Sequence, residues 1–198
     1  MKTLLISSSL FGASGQSTTL ANELAAQLGG KVTVRDVSTV PHLTRERFGA
    51  FNLPAAARTP TQQAAVDYSD ALIAELKAAD TVVIGVPMYN FGIPSTLKAY
   101  FDHIARAGIT FKYTEKGAIG LLTGKKVYLV MARGGFYGDS HAHTTYVRDF
   151  LAFLGITDVE TVYAEGLAIS PASKDQGLAK ARAQVERLTL NEREAALI

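Results

Sequence analysis

Thr81-Val82-Val83-Ile84-Gly85-Val86-Pro87-Met88-Tyr89-Asn90-Phe91-Gly92-Ile93-Pro94 is the stretch on which the fold turns. Thr81 to Val86 is short and rich in β-branched residues, so it reads as a strand buried on both faces of a parallel sheet. After Pro94, the residues Leu97, Phe101 and Ile104 recur at helical spacing. Gly85 to Pro94 is therefore a strand-to-helix crossing. In open α/β sheets ligands lie outside the carboxyl ends of strands, where the first N–H groups of the next helix have no partner. Tyr89 and Phe91 bring π-faces to this crossing, and Asn90 brings an amide that both donates and accepts. The mixture suits a flat heterocycle with polar edges, such as a flavin. The same residues also read as a tight turn whose aromatics belong to the core.

Working outward, the same alternation recurs. Strand-like runs at Thr3–Ile6, Val32–Val34, Val82–Val86, Val127–Met131 and Val159–Tyr163 are separated by helical periodicities. Leu20, Leu24 and Leu28 share one face of a helix that Gly29-Gly30 stops. A second helix runs from about Thr61 to Ala79, with Tyr68, Leu72, Leu76 and Ala79 inward. The third carries Leu97, Phe101 and Ile104 and ends before Gly108; the fourth carries Tyr146, Phe150 and Leu154 and ends at Gly155. The last spans roughly Lys174 to Leu190, with Leu178, Ala181, Val185 and Leu188 on one face. Five β/α units with right-handed crossovers require a doubly wound parallel sheet, and five strands favour the flavodoxin-like order 2-1-3-4-5 with helices on both faces. Residues 1–198 are expected to form one domain. Pro41 to Pro60 and Ile109 to Lys125 exceed the bare unit, the latter with turn signals at Glu115-Lys116-Gly117 and Thr123-Gly124. Loops of this length are expected to cover a ligand or a second subunit.

Composition narrows the chemistry. The net charge is +2 and no basic block exists, which argues against nucleic acid as a partner. No apolar stretch approaches the roughly 20 residues of a membrane span, so no membrane partner is expected. The absence of cysteine excludes disulfides, thiolate metal sites and a cysteine nucleophile, so redox chemistry must come from a cofactor. Three serines interrupt the apolar N-terminal run, which reads as a first strand rather than a signal peptide and makes the cytoplasm the expected compartment.

Two further loops carry candidate donors. Ser7-Ser8-Ser9 through Thr19 holds six hydroxyls from Ser8 onward and leads into the first helix, with no Lys or Arg from Thr3 to Gly30. A helix N-terminus lined with hydroxyls favours a monophosphate, whereas the Lys-bearing triphosphate loop is missing. Ser9, Gln16 and Ser17 are the preferred donors. The alternative is that these residues only cap the helix and fill a turn. The fourth sheet strand exits into Met131-Ala132-Arg133-Gly134-Gly135-Phe136-Tyr137, where adjacent glycines let backbone lie against a flat ligand. Arg133 either faces that ligand or pairs structurally.

Ser9 with Gly15-Gln16-Ser17, Pro87 to Pro94, Arg133-Gly134-Gly135, Ala107 to Phe111 and Leu154-Gly155-Ile156 together resemble the FMN-dependent NADH:quinone oxidoreductases and azoreductases of the flavodoxin-like superfamily. The resemblance covers nearly the whole chain. It implies FMN as the bound cofactor, NADH as donor, quinone and azo substrates, and a homodimer with each site near the interface. It implies that Ser9, Gly15, Gln16 and Ser17 hold the phosphate, and that Met88, Tyr89, Asn90, Phe91, Ala132, Arg133, Gly134 and Gly135 flank the ring. Gly15 and Ala132 lack the hydroxyl common at those places, and Tyr137 stands where some relatives have histidine.

No side-chain acid is demanded by such chemistry, so no catalytic residue is named; main-chain donors near Asn90 and Gly134-Gly135 would stabilise charge on the reduced ring. The rival reading is a flavodoxin-type electron carrier without NADH turnover. A serine hydrolase ranks last, since Gly-x-Ser-x-Gly is missing. His141 and His143 lack partners for a metal and read as surface or capping residues, and Asp102 and Arg106 read as a surface pair. No metal site is expected.

Overall fold

A computed structural model describes residues 1–195. The expected domain runs to Ile198, and residues 196–198 lie outside the described residues. Strands β1 (Lys2–Ser7), β2 (Lys31–Asp36), β3 (Thr81–Pro87), β6 (Lys126–Ala132) and β7 (Asp158–Ala164) form one sheet in the order β2-β1-β3-β6-β7, every pair parallel. Counted without the small hairpin described below, that is the expected order 2-1-3-4-5. The register sets Pro87 beside Ala132 and Ala132 beside Ala164, so the exits of β3, β6 and β7 stand level along one edge.

Period-two alternation divides the sheet residues between two cores. Leu4, Ile6, Val82, Ile84, Val127, Leu129 and Met131 face α3 (Pro60–Ala78), α4 (Ser95–Ile104) and α5 (Ala142–Phe153). Leu5, Val83, Tyr128, Val130 and Val162 face α1 (Gln16–Leu28) and α6 (Pro171–Ala195). Gly85 falls on the α1 side, where an added Cβ would stand 3.1 Å from the Ser17 carbonyl oxygen. The missing side chain lets the first turn of α1 lie on the strand beside the β1 and β3 exits.

The helices begin where local chemistry allows. Thr59 caps α3 through the Gln62 N–H at 3.2 Å, Gln62 returns a bond to the Thr59 N–H at 2.9 Å, and Pro60 opens the helix. Its observed bounds lie within one residue of those expected from sequence. The two overlong stretches are partly structured. Arg45–Phe51 forms the short helix α2, and β4 (Phe111–Thr114) with β5 (Gly117–Gly120) forms an antiparallel hairpin at the expected turn.

Two sequence expectations are corrected. In α5 the inward face is His143, Val147 and Leu151, one position off the expected Tyr146 and Phe150 stripe. Leu154 is buried but lies just beyond the helix, while Phe150 stacks on Phe101 of α4 at 4.3 Å, covering the flank between helices. Asp102 and Arg106 do not pair. Lys98 takes Asp102, whereas Arg106 is buried against Ser69 and Asp70 with its guanidinium 3.9 Å from the Phe51 ring centre.

Candidate functional site: three strand exits on one edge

The exit of β1 is a loop without charge. Gly15 sits at the N-cap of α1 and offers no side-chain cap. The first bond into the helix is Thr19 N–H to Gly15 O at 2.9 Å, so the N–H groups of Gln16, Ser17 and Thr18 have no partner among the described residues. Ser17 Oγ is also buried without a partner. A buried hydroxyl left unmade costs on the order of 1–3 kcal/mol, and here it stands in the same turn as three free N–H donors. That combination fits an anionic oxygen group. Thr18, by contrast, is spent on Ser7, with their hydroxyls 3.2 Å apart. Gly15 has a steric reason for lacking a side chain: a Cβ there would stand 2.2 Å from Ser9 Oγ, so the Ser9 hydroxyl fills the space.

The exit of β3 meets that loop directly. Ser9 Oγ lies 3.3 Å from the Tyr89 hydroxyl, which also accepts the Leu10 N–H at 3.1 Å, and the Phe11 ring meets Tyr89 edge-on at 6.5 Å. Tyr89 and Gly92 exchange both backbone bonds, at 2.9 and 3.0 Å, closing a tight turn over Asn90 and Phe91. Both central residues are left-handed, with φ of 49° and 67°. For non-glycine residues this costs on the order of 1 kcal/mol each, and such strain clusters at ligand sites. The turn leaves the Asn90 amide and the Asn90 and Phe91 N–H groups without a partner among the described residues, and Phe91 is 66% exposed.

The exit of β6 is held from behind. The carbonyls of Arg133, Gly134 and Gly135 accept from Leu167, Ala168 and Gly166 N–H at 3.1, 3.0 and 2.9 Å. With their carbonyls spent on that side, the N–H groups of Gly134 and Gly135 remain without a partner among the described residues. Arg133 is 1% exposed. Its Nη1 donates to Gly138 O and Glu165 Oε1 at 2.7 and 3.1 Å, its Nε to His143 Nδ1 at 3.3 Å, and its Nη2 to Thr144 Oγ1 and Met131 Sδ. All five guanidinium donors are thereby used. Arg133 therefore pairs structurally, and the alternative that its side chain faces the ligand is set aside.

His141 caps α5, accepting the His143 N–H on Nδ1 at 3.1 Å, as one of the two sequence readings had it. His143 is corrected: it is 2% exposed and bound between Arg133 and the Pro87 carbonyl. Burial, and then the Arg133 charge beside it, push its pKa down to about 4. Sequence reasoning missed Glu165, which accepts from Arg133 and from the Tyr137 and Gly138 N–H groups at 2.9 and 3.1 Å. The available signal was its place directly after β7, at the same sheet edge as the other exits.

The Ser9–Tyr89 contact joins the first two loops, and the edge-on Phe91–Tyr137 contact at 6.1 Å joins the second to the third. Free donors and strained or glycine backbone thus converge from three exits. Among the described residues no group of three His, Asp or Glu suits a metal ion. A cavity of about 500 Å³ between α2 and α3, lined by Thr44, Arg47, Tyr68 and His103 among others, shares no residue with these loops.

Comparison with known proteins accords with this arrangement. A family model described as having a flavodoxin-like fold matches residues 1–188. An FMN-dependent NADH:quinone oxidoreductase of Cellvibrio japonicus is 53% identical over 197 residues, covering 94% of this chain and 98% of that protein. A crystal structure of an azoreductase from Bacillus anthracis superposes with a TM-score of 0.86 at 27% identity, covering 96% and 98% of the two chains. An FMN-dependent NADH-azoreductase from the same species, solved in complex with FMN, gives a TM-score of 0.78 at 27% identity, covering 96% and 100%. The chain belongs to the flavodoxin-like fold family and, within it, to the FMN-dependent NADH:quinone oxidoreductases.

Proposed function

We propose that this chain is an FMN-dependent NADH:quinone oxidoreductase that also cleaves aromatic azo compounds reductively. The observation that carries the reading is the convergence of unpaired donors at the β1, β3 and β6 exits, above all the buried, partnerless Ser17 hydroxyl beside three free N–H groups. Bound FMN supplies two-electron transfer, from NADH to a quinone or azo acceptor that takes its place in turn.

The protein's part is binding and orientation. Ser9, Gly15, Gln16 and Ser17 hold the phosphate through hydroxyl and main-chain donors in a turn where the helix dipole also favours negative charge. Met88, Tyr89, Asn90 and Phe91 would flank the ring together with Ala132, Gly134 and Gly135, with free N–H groups able to donate to negative charge on the ring edge. Arg133 contributes by holding its loop. No side chain is assigned as an acid or base.

The chain is proposed to act as a single cytoplasmic domain and a homodimer. Support for a second copy comes from exposed aromatics at the rim of the site: Phe11, Phe91 and Phe136 are each more than 65% exposed. No described helix is long and apolar enough to cross a membrane. The electron-carrier reading is not favoured, because the relatives matched over nearly their full length are named as oxidoreductases and azoreductases. Steady-state NADH oxidation with a quinone, before and after removal of FMN, tests the proposal. Activity lost on removal and restored by FMN is expected; activity that survives removal would refute it.

A further inference from the structure

Glu165, Arg133 and His143 form a hydrogen-bonded chain, with Arg133 and His143 buried and Glu165 partly exposed, that touches both loops expected to flank the ring. Glu165 Oε1 gathers the Arg133 guanidinium and the N–H groups of Tyr137 and Gly138, while Arg133 Nη1 also holds Gly138 O. Both ends of the Gly134–Gly138 loop are thus tied to one ion pair. On the other side, His143 Nε2 lies 3.3 Å from the carbonyl of Pro87, the residue that precedes Met88 and the strained turn.

The chemistry of the partners fixes the imidazole. A guanidinium only donates and a carbonyl only accepts, so Nδ1 is the acceptor toward Arg133 and Nε2 carries the proton toward Pro87. His143 is therefore a neutral strut of one tautomer spanning the β6 and β3 exits. Thr144, the next residue, receives Arg133 Nη2, so a single turn of α5 contacts the charge at two points.

We propose that the Glu165–Arg133–His143 chain positions the two ring-flanking loops relative to each other, with His143 as the positioning residue that couples them. The proposal rests on the FMN-dependent reading above and concerns geometry that the reading leaves open. Losing the strut leaves Arg133 Nε and the Pro87 carbonyl unpaired in the interior, and the two loops are then no longer tied through a common group. The bound ring meets a wider, softer gap.

The test uses the FMN-loaded protein and two variants. In His143→Leu the strut is removed; in His143→Gln an amide retains one donor and one acceptor. FMN dissociation is read by the return of free-flavin fluorescence, and the absorption band and midpoint potential of bound flavin are read at saturating FMN. His143→Leu is expected to weaken FMN about tenfold, the scale of one unmade buried hydrogen bond, and to shift both band and potential; His143→Gln is expected to restore most of each. A general loss of stability would not move the band or potential of fully loaded protein. Should His143→Leu not fold, nitrogen-resolved NMR of the wild-type imidazole decides: a protonated Nε2 and bare Nδ1 supports the strut, and the opposite tautomer overturns it. Wild-type affinity, band and potential in folded His143→Leu overturn this proposal alone. A wild-type chain that takes up no FMN overturns the functional reading and this proposal with it.

Discussion

The β1 and β6 exits face the same edge and are built on opposite principles. The Ser8–Thr19 loop contains no charge, leaves its helix uncapped and keeps a hydroxyl buried without a partner, so it is completed only by a ligand. The Arg133–Gly138 loop satisfies all five Arg133 donors and the carbonyls of Arg133, Gly134, Gly135 and Gly138 within the protein, and leaves the Gly134 and Gly135 N–H groups without a partner among the described residues. With FMN bound as proposed, the first half gains stability from the ligand, while the second is hydrogen-bonded within the protein beforehand. A monophosphate, compact and doubly charged, suits the first; a flat ring that must be held at one distance suits the second.

Removing Glu165 strikes the self-satisfied half hardest. Glu165→Ala leaves a buried guanidinium without its counter-charge, and breaking such a pair costs about 3 kcal/mol or more. Chemical denaturation of the FMN-free protein is expected to show that loss. A change under 1 kcal/mol would mean that the β6 loop is not held by this pair.

Acid acts on the same half through His143. Its pKa is about 4 in the folded chain against an ordinary 6.5, so between those values the unfolded chain binds more protons. Stability is full above about pH 6.5 and falls as pH drops toward 4, by at most about 1.4 kcal/mol per pH unit from this group. His103, lowered by burial, adds to the slope in the same direction. His143→Gln is expected to flatten the urea-derived stability profile between pH 4 and 6.5 without abolishing its slope.

The first loop is expected to respond with opposite signs in its two states. Ser17→Ala removes a buried hydroxyl that has no partner, so the FMN-free protein is expected to keep its stability or gain about 1 kcal/mol. The same change takes a donor from the phosphate and is expected to weaken FMN about tenfold or more, since hydrogen bonds to charged groups contribute about 1.5–3 kcal/mol. Paired melting and fluorescence titrations check both signs. Equal loss in both states would make Ser17 a structural residue. The smallest effect belongs to the surface: Asp102→Asn breaks an exposed pair with Lys98 and is expected to cost under about 0.5 kcal/mol and leave FMN affinity unchanged.

The contrast between the two loops also marks what the sequence could reveal. The sheet order was legible because strands such as Val82–Val86 and Val127–Met131 are buried on both faces and read as unbroken apolar runs. The loop proposed to hold the phosphate stood out because hydroxyl density without Lys or Arg is a local pattern. The hairpin at Phe111 to Gly120 was marked by its turn residues, while α2 in Pro41 to Pro60 has too few turns for a periodicity to stand out. The stripe in α5 was misplaced because Tyr146 and Phe150 are large and apolar, yet His143 takes the inward position through hydrogen bonds that spacing does not encode. Glu165 was missed for the same reason: its partners lie 27 to 32 residues away, and only the level register of β6 and β7 brings them together.

The three exits together are proposed to hold a flavin that NADH reduces. The visible spectrum of the purified protein, recorded as isolated and again without oxygen after addition of NADH, tests it most directly. A flavin spectrum that bleaches with NADH is the expected result. A flavin that NADH leaves oxidised would contradict the enzyme assignment, and a colourless chain that takes up no added FMN would contradict the reading of all three loops.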